Sequence, residues 1–513
     1  MTGAEVSAAV LEEPQARPVP LRLRFSVAAA VFKDIAQWPA LEPLLTAPRA
    51  RRVQEIYYDT EKFTLTRHGL ALHARALRRG AALVAEMGGQ AIEVTAPDAE
   101  PELERLGTEM AGKIHDLAGD FPLLPVFSTD IKRLTRHARV DASEIELTFD
   151  SGFILSGAQK WPMREIGLEL KSGDPAALYQ LALALNSAYP VGLETEAKNQ
   201  RGLRLTSFLP AEAVRSVSSL SGTPSMDDAM AALINSCMDH FTANWPAFTH
   251  GDAVNAVHQM RVAMRRLRSV LWLLQRAFPC PEFTAFRQEA KLVASAMGQA
   301  RNWDVFIALL REGPSAAFPQ EPGFDEVFAK SDTLRTHGYD AVRTLLAAPQ
   351  TIRFVLALKA FVARRGWRNA LAGDALPALS APALNFAREN LERLHRKLLK
   401  RGKHLVKLPP HERHLVRIQL KKLRYIADLF SGLFDRRGQV RAYNHAAARL
   451  QDQLGIMNDL TVANEMLAQL DINAPEAARA IGIIMGWTAR SALADDKALE
   501  KCWAAFREAK LFT

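Results

Sequence analysis

The stretch HQMRVAMRRLR at residues 258–268 returns 156 residues later as HLVRIQLKKLR at residues 414–424, without a gap. Each copy has a histidine followed by cations at the same four positions. Downstream, the run Met297–Asp304 resembles Leu454–Asp459 once a single gap is allowed. An internal repeat of this size, in helical patterns, predicts two similar helical bundles related by duplication and by a pseudo-two-fold axis.

Each copy also predicts one basic edge on an amphipathic helix. At 100° per residue, four basic side chains per copy fall within roughly 80° of one another. These are His258, Arg261, Arg265 and Arg268 in the first copy, and His414, Arg417, Lys421 and Arg424 in the second; Arg266 and Lys422 are the other members of the two tandem pairs. The predicted core stripes beside them are Met260, Met264, Leu267, Leu271 and Leu274, and Leu415, Ile418, Leu423, Ile426 and Leu429.

A row of like charges on one helix repels itself, and the Glu–Lys spacing that relieves such repulsion is absent here. A solvated helix face is the ordinary explanation of a single charge run, but the duplication at identical spacing favours an anion site. Arginine offers phosphate two hydrogen bonds, lysine offers a point charge, and histidine titrates near neutral pH. A chain of phosphates is the ligand that such a row predicts.

Residues outside the two copies allow two interpretations. Arg301 is predicted either to join the phosphate site or to bond between helices, whereas Asn302, Asp304, Asn458 and Asp459 are predicted to bond between helices or to cap them. The basic run Arg393–His404, with Lys400, is either an extension of the phosphate site or a solvated surface.

The positive charge is concentrated in one half of the 513-residue chain. Residues 1–210 hold 24 Lys and Arg against 27 Asp and Glu, a formal charge of −3, while the remainder holds 41 against 29, which is +12. A basic half predicts a polyanionic partner, whether nucleic acid, an anionic membrane or polyphosphate. No apolar run is long enough to span a bilayer. The three separated cysteines give no disulfide or zinc pattern, which fits a reducing cytoplasm.

The composition and the apolar pattern of the sequence divide the chain into four parts. Residues 1–18 are predicted to be a disordered leader, since they lack the basic and apolar regions of a secretory signal. Residues 19–210 alternate apolar and polar positions in several runs and predict an α+β domain built on an antiparallel sheet or barrel. Residues 211–225 are rich in Ser, Gly and Pro and predict a linker. Residues 226–513 carry long helical patterns and predict an all-α domain.

The duplicated His-x-x-Arg-x-x-x-(Arg/Lys)-(Arg/Lys)-Leu-Arg pattern resembles the signature of the CHAD domain, the conserved-histidine α-helical domain, over about residues 226–513. That resemblance implies two four-helix bundles, binding of inorganic polyphosphate through the basic residues, and association with polyphosphate granules. Together with the signature residues, Arg301 and Lys400 are predicted to bind polyphosphate.

Residues 19–210 resemble a CYTH domain of the triphosphate tunnel metalloenzyme type. The resemblance rests on five segments: Tyr57–Thr60, the strand that ends in Arg75, Glu144–Asp150, Glu165–Asp174, and Lys198 before Arg201-Gly202. It implies an eight-stranded tunnel lined with Arg and Lys, with acidic residues that hold Mg²⁺ or Mn²⁺ for triphosphate hydrolysis or cyclisation.

The chain departs from the family at the metal-binding strand. The family has Glu-x-Glu-x-Lys there, with all three side chains directed into the tunnel. This chain has Pro20-Leu21-Arg22-Leu23-Arg24, and Ala85–Gly88 stands where the middle-strand lysine is expected. Arg22 in place of a metal ligand repels a divalent cation. The weak remaining metal candidates are Glu144, Glu146, Glu165 and Glu169, and the candidate anion-binding residues of the tunnel are Arg24, Arg75, Arg133 and Lys198.

The sequence therefore predicts a cytoplasmic polyphosphate-binding protein on polyphosphate granules, with a degenerate tunnel, no catalytic residue and no required cofactor. The alternative is a Mg²⁺- or Mn²⁺-dependent inorganic triphosphatase. A membrane partner is not expected. Nucleic acid is disfavoured because the basic helices lack interleaved aromatic residues and helix-turn-helix spacing.

Overall fold

The computed structural model describes residues 17–18, 20–38, 49–196, 198–207, 210–216, 220–371, 373, 375–472, 475–493 and 496–513. The chain divides into two compact units, Met1–Ala211 and Glu212–Thr513. The predicted leader lies outside the described residues except for Arg17 and Pro18, and part of the predicted linker lies outside them too.

The first unit is built on one antiparallel sheet of ten described strands, in the order β1-β6-β5-β4-β3-β7-β8-β9-β2-β10. The strands are β1 Arg17–Pro18, β2 Arg22–Val27, β3 Arg49–Asp59, β4 Leu70–Ala76, β5 Ala81–Met87, β6 Gln90–Ala96, β7 Leu124–Val140, β8 Ser143–Ser156, β9 Gln159–Ser172 and β10 Val191–Leu193. The helices that accompany them are α1 Ala29–Ala36, α2 Thr64–Arg67, α3 Thr108–Ala118, α4 Pro175–Ala188 and α5 Lys198–Ser207.

The sheet curves until its distant strands approach each other. Strands β2 and β5 are separated by five strands in the order of the sheet. Even so, the Arg22 guanidinium lies 4.0 Å from the Glu86 carboxylate across the enclosed space. Eight strands contribute residues to this cavity of about 590 Å³. The sheet therefore surrounds a tunnel, as its alternating apolar and polar positions require when one face is buried and the other lines a polar interior.

The second unit is all-helical. Its helices are α6 Met226–Ala243, α7 Trp245–His250, α8 Ala253–Ala277, α9 Pro281–Ala296, α10 Gly298–Glu312, α11 Pro314–Ala317, α12 Gly323–Ala347, α13 Pro349–Ala363, α14 Leu376–Ser380, α15 Ala383–Arg401, α16 Pro410–Phe430, α17 Arg437–Leu467, α18 Pro475–Leu493 and α19 Asp496–Glu508. Helix α6 is capped at its N-terminus by Ser225, whose hydroxyl accepts a hydrogen bond from the Asp228 amide at 3.1 Å.

The internal repeat is visible in the helix pairings. The first signature helix, α8, packs against α6 and α9, and the second, α16, packs against α15 and α17. The two signature helices also contact each other. One difference separates the copies: α9 ends and α10 begins at Met297–Gly298, whereas α17 runs unbroken through the equivalent segment. That difference accounts for the gap needed to align the two downstream runs.

The predicted core stripe of the first copy is confirmed, since all five of its residues are fully buried on α8. The stripe of the second copy is wrong in part. Ile418 is 36% exposed and Leu415 is half-buried, while Val416 and Leu420 are fully buried instead. The core face of α16 is therefore rotated toward Val416, Leu420 and Leu423, because it packs against α15, α17 and α8 together.

Cys237, Cys280 and Cys502 are buried and form no disulfide. Within the described ranges, no single helix has both the length and the apolar character needed to cross a bilayer; the pair α12 and α13 meets that test only together, with a 53° bend between them.

Candidate functional site

The first signature helix brings three basic side chains together with one from α10. His258, Arg261 and Arg265 follow one edge of α8, and Arg301 approaches them from the first turns of α10. Helix α8 begins at Asp252, whose carboxylate accepts a hydrogen bond from the Asn255 amide at 3.0 Å. We call His258, Arg261, Arg265 and Arg301 the basic row.

Arg261 is held in a fixed position within the basic row. Its Nη1 donates a hydrogen bond of 3.0 Å to the carbonyl of Ala294, near the end of α9. Gly298 lies beside this guanidinium, and a Cβ at that position would stand 2.8 Å from Nη1. The glycine that follows the helix break therefore makes room for the arginine.

The basic row is not neutralised by nearby acids. Burial, together with repulsion from Arg265 and Arg301, lowers the pKa of Arg261 to about 10. Burial lowers the pKa of His258 to about 4, with added repulsion from Arg301, Arg265 and Arg261. Among the residues that the structure describes, no carboxylate contributes to the pKa shift of Arg261. Crowded cations of this kind raise the free energy of the unliganded state, and a bound anion relieves that cost.

Arg268 lies further along α8 and meets the second copy. Burial lowers its pKa, as do Arg287 and Arg265. Burial also lowers the pKa of Lys422 on α16, as do Arg287, Lys397 and Arg268. Two signature residues from different copies are thus brought to one place.

Arg266 is not brought into the basic row. Its side chain is 3% exposed and bonds to the Ser216 hydroxyl and, at 3.1 Å, to Asp428 of α16. Position 266 lies about 80° from His258 on the helix wheel, on the side opposite to Arg268, so the tandem arginine faces the partner helix. Lys422, its counterpart on α16, faces α8 in turn, since its Nζ lies 4.6 Å from the centre of the Trp272 ring.

The second copy is more open than the first. His414 and Arg417 line a cavity of about 1240 Å³ between α16, α17 and α18, together with His411 and Arg413. A Cβ added to Gly455, the counterpart of Gly298, would meet no described atom within 4 Å, so no described arginine packs there as Arg261 does. Lys421 and Arg424 are half-buried on α16, and Lys400 is exposed on α15.

The prediction that Asp304 bonds between helices is confirmed. Its carboxylate accepts hydrogen bonds from Arg335 Nε at 2.7 Å and from the Tyr339 hydroxyl at 2.8 Å, both on α12. The side chains of Asn458 and Asp459 lie outside the described residues.

All four candidate cations of the tunnel are bonded to the protein itself. Arg133 makes two hydrogen bonds, of 2.7 and 2.6 Å, to Asp150. Arg24 donates to the Glu196 carbonyl at 2.7 Å, and Lys198 lies 3.3 Å from the Glu55 carboxylate. Arg75 is paired with Glu93.

The carboxylates of the tunnel are likewise paired. Glu169 accepts from Arg22 at 2.6 Å and from Lys171 at 2.8 Å, and Glu165 lies 2.8 Å from Arg201. Burial opposes the ionisation of Glu55, but Lys198, His73 and Arg133 outweigh it and lower its pKa to about 2. Glu144 and Glu146 lie 3.6 and 3.8 Å from His137, and only Glu146 lines the cavity.

These residues do not fit a divalent cation. Five Arg and Lys side chains and seven carboxylates line the tunnel, and the carboxylates that would serve as ligands already bond to cations. Across the described ranges, no three His, Cys, Asp or Glu side chains are grouped so that they could hold a metal ion. The Arg22 guanidinium donates a hydrogen bond to Glu169, so its positive charge would repel a metal ion bound at that carboxylate.

Sequence reasoning missed the partners that neutralise the tunnel. Glu55 and Glu196 carry no motif of their own, and Asp150 was noted only as the end of the segment Glu144–Asp150. These residues become partners of Arg133, Lys198, Arg24 and Arg204 only through the pairing of distant strands and α5. Arg287 near Arg268 was missed for the same reason.

Comparison with known proteins assigns both halves. Residues 23–203 match the family model of the CYTH domain, and residues 232–468 match that of the CHAD domain. A curated relative is the inorganic triphosphatase of Haemophilus influenzae, 28% identical over 159 residues, which are 29% of this chain and 45% of that protein. The chain thus spans about half the length of the curated relative it matches.

Two solved structures resemble the chain as well. The CHAD domain from the plant Ricinus communis is 28% identical with a TM-score of 0.48, and the match covers 59% of this chain and 97% of the plant domain. PptA from Streptomyces chartreusis is 17% identical with a TM-score of 0.42, covering 55% of this chain and all of that protein.

Proposed function

Since this chain consists of a CYTH domain followed by a CHAD domain, we propose that it binds inorganic polyphosphate through the basic residues of the CHAD domain. The single observation that carries the proposal is the basic row, in which cations are crowded together without acidic partners among the described residues. The tunnel of the same chain shows the opposite arrangement, since its cations are bonded to carboxylates and a carbonyl. An external polyanion is the partner that the row lacks.

The length of α8 over which the signature cations extend supports a linear ligand. His258 and Arg268 are ten residues apart on one helix, a rise of about 15 Å. A ligand that contacts both must extend along α8 and carry negative charge throughout. A polyphosphate chain meets both conditions, and each Arg can take two of its oxygens.

Binding of the full chain to long-chain polyphosphate tests the proposal. The Arg261→Ala/Arg265→Ala double variant should bind about tenfold or more weakly, because each lost charge-assisted hydrogen bond is worth roughly 1.5–3 kcal/mol. Isothermal titration calorimetry at fixed salt measures the effect. The matched control is Lys330→Ala/Arg311→Ala, which removes two exposed cations, one on α12 and one at the far end of α10.

Equal affinity of the row variant and the wild type would refute polyphosphate binding at this site. Nucleic acid as the ligand would appear as displacement of polyphosphate by DNA at matched phosphate concentration. We expect no such displacement. Association with polyphosphate granules follows from the same affinity, and the row variant should lose it.

We further propose that the CYTH domain is not catalytic in this chain, because its tunnel cations and carboxylates neutralise one another. The alternative, a metal-dependent inorganic triphosphatase, draws support from the activity of the Haemophilus influenzae relative. A phosphate-release assay with tripolyphosphate and Mg²⁺ or Mn²⁺ decides between them. Release that disappears in the Glu146→Gln or Glu165→Gln variant would establish the alternative.

A further inference from the structure

The cavity of about 1240 Å³ between α16, α17 and α18 has mostly apolar walls. All of the described residues that line it belong to the second repeat. The apolar side chains are Leu415 on α16, Leu454, Val462 and Leu467 on α17, and Ile481 and Met485 on α18. Cavities that hold small molecules usually measure roughly 300–1,000 Å³ and combine apolar walls with a few polar groups. This cavity therefore has the size and the lining of a site for a mainly apolar molecule.

The packing of α18 explains why the cavity exists. The buried residues Ala480 and Ile484 of α18 pack into a core cluster with aromatic residues of α10, in the first repeat. Ile481, Met485 and Thr488 form a neighbouring stripe at helical spacing, and this stripe lines the cavity. Met485 is 56% exposed, so the cavity is open to solvent beside it. Helix α18 is thus held against the first repeat, and its second apolar face is directed into the cavity.

The first repeat is packed more closely at the helix that follows its downstream run, α12. The Tyr339 ring of α12 stacks on Phe248 of α7 with the ring centres 6.2 Å apart, and its hydroxyl donates a hydrogen bond to Asp304 at 2.8 Å. A Cβ added to Gly338 would stand 3.0 Å from the backbone of Ala300 on α10. By contrast, no Phe, Tyr or Trp is among the described residues that line the cavity of the second repeat. The cavity therefore distinguishes the second repeat from the first.

The basic residues of the lining all lie on the first turns of α16. They are His411, Arg413, His414 and Arg417, and Glu465 on α17 is the one acid among the described lining residues. His411 and His414 are exposed, so this end of the cavity is accessible from solvent. A molecule that fills the cavity thus meets apolar side chains along most of its length and positive charge at one end.

The head of such a molecule is assigned to two of these residues. Arg413 bonds within the protein, since its Nε donates to the Leu408 carbonyl at 2.9 Å and its Nη1 lies 3.0 Å from the Asp496 carboxylate. His414 and Arg417 are three residues apart on one edge of α16 and both line the cavity. A guanidinium can donate to both oxygens of a carboxylate, and an imidazole can donate to one of them.

We propose that this cavity binds a long-chain fatty acid, with its acyl chain along the apolar walls and its carboxylate at His414 and Arg417. The lining residues of α17 extend from Leu454 to Ala468, a rise of about 20 Å, which suits an extended chain. One permanent cation, Arg417, matches a head with a single negative charge, and Glu465 disfavours a head with more. This site is separate from the basic row, whose residues all lie on the first repeat.

Titration calorimetry of the full chain with dodecanoate tests the proposal. We expect saturable binding of one dodecanoate per chain. In the series octanoate, decanoate and dodecanoate, the affinity should rise by up to about fourfold for each added CH₂ group, because each is removed from water by the apolar walls.

Two tryptophan variants of α18 test the position of the acyl chain. Ala489→Trp places a large side chain in the cavity and should abolish dodecanoate binding. Ala478→Trp is the matched control, since Ala478 is also exposed on α18 but lies about 16 Å further along the helix. It should bind dodecanoate as the wild type does. Thermal unfolding of both variants shows whether the helical domain stays folded.

A third variant tests the head group. Arg417→Gln should bind dodecanoate about tenfold more weakly, because it loses a charge-assisted hydrogen bond. Its affinity for dodecan-1-ol, which has the same chain without the charge, should equal that of the wild type. An equal loss for both ligands would mean that Arg417 shapes the cavity and does not bind the carboxylate.

Three further results would overturn the proposal. The first is a wild type without saturable binding of dodecanoate. The second is a folded Ala489→Trp variant that binds dodecanoate as tightly as Ala478→Trp does, since the acyl chain would then lie elsewhere. The third is tighter binding of dodecyl phosphate or dodecyltrimethylammonium than of dodecanoate, since the cavity would then select a different head.

Discussion

At the scale of single residues, the pair of Arg133 and Asp150 shows how the tunnel is stabilised. The two side chains are 17% and 5% exposed, and the burial cost of the Arg133 guanidinium is outweighed by Asp150, which raises its pKa. We expect Asp150→Ala to lower the free energy of unfolding by about 3 kcal/mol, because it leaves a buried cation without its partner. Urea denaturation measures the loss.

The pair of Arg52 on β3 and Asp130 on β7 provides the control. Arg52 is 68% exposed, so water replaces the lost carboxylate. Asp130→Ala should therefore change the stability far less than Asp150→Ala does. Equal losses would contradict the assignment of Arg133 as a buried, internally neutralised cation.

The low pKa of His258 predicts the direction in which folding stability changes with pH. It is faced by Arg261 and Arg265 on α8, Arg301 on α10 and His240 on α6, and with burial they lower its pKa to about 4. The unfolded chain binds the proton near pH 6.5, so between pH 6.5 and 4 it holds more protons than the folded one. Folding stability associated with His258 is therefore present above pH 6.5 and declines as the pH falls toward 4.

Thermal unfolding at a series of pH values tests this dependence. The wild type without ligand should lose more stability between pH 7 and 5 than His258→Gln does. Polyphosphate should reduce the difference, since its charge favours protonated His258. Identical slopes for the two proteins would show that His258 does not carry a depressed pKa.

Single residues also show how much of the site could be predicted from the sequence. The spacing of His258, Arg261, Arg265 and Arg268 predicted a shared edge, because a helix converts sequence spacing directly into angle. The signature also counted Arg266 among the predicted binding residues, whereas the structure shows it buried and paired with Asp428. Partners brought in by other helices or strands, such as Arg287 and Asp150, leave no periodic signal and were not predictable.

At the scale of elements, the break between α9 and α10 distinguishes the two repeats. Gly298→Ala would place a Cβ 2.8 Å from Arg261 Nη1 and displace this guanidinium from the Ala294 carbonyl. We expect polyphosphate affinity to fall severalfold, because a misplaced charge-assisted donor forfeits part of its roughly 1.5–3 kcal/mol. Calorimetric titration of the full chain measures it.

Gly455→Ala is the matched control on α17. No described atom lies within 4 Å of the added methyl group, and the position is inside a continuous helix. The substitution should leave affinity unchanged and raise stability by roughly 0.5–1 kcal/mol, as glycine is unfavourable in a helix interior. An equal loss of affinity in both variants would mean that Gly298 has no particular relation to Arg261.

The elements themselves were largely predictable, since the alternating runs became strands and the long apolar patterns became helices. The core face of α16 was not, because three neighbouring helices decide which of its residues are buried. Ile418 satisfied the expected period and is nevertheless exposed, while Val416 and Leu420 fill the core.

At the scale of the whole molecule, the two domains differ in net charge and in how far their charged side chains are paired. The CYTH half carries −3 and the remainder +12. In the tunnel, cations and carboxylates neutralise one another locally, so the net charge there says little about ligands. In the CHAD domain the basic row is neutralised by no described acid, so its charge is available to an external anion.

Because these cations are not neutralised by described acids, we expect the affinity for polyphosphate to fall steeply as the salt concentration rises. Each phosphate neutralised by a bound cation releases counterions, and the logarithm of the association constant falls by about 0.7 per contact for a single strand. The basic row and Arg268 hold four permanent cations: Arg261, Arg265, Arg268 and Arg301. If all four contact the chain, the slope against the logarithm of salt concentration should be about −3.

The slope is more decisive than the affinity itself, because it counts contacts. Arg261→Ala/Arg265→Ala should make it shallower by about 1–2, whereas Lys330→Ala/Arg311→Ala should leave it unchanged. Titrations of the full chain with long-chain polyphosphate at several salt concentrations give both values. A wild-type slope of about −1 would mean that the ligand contacts one or two cations only, and a polyphosphate chain along the basic row would then be untenable.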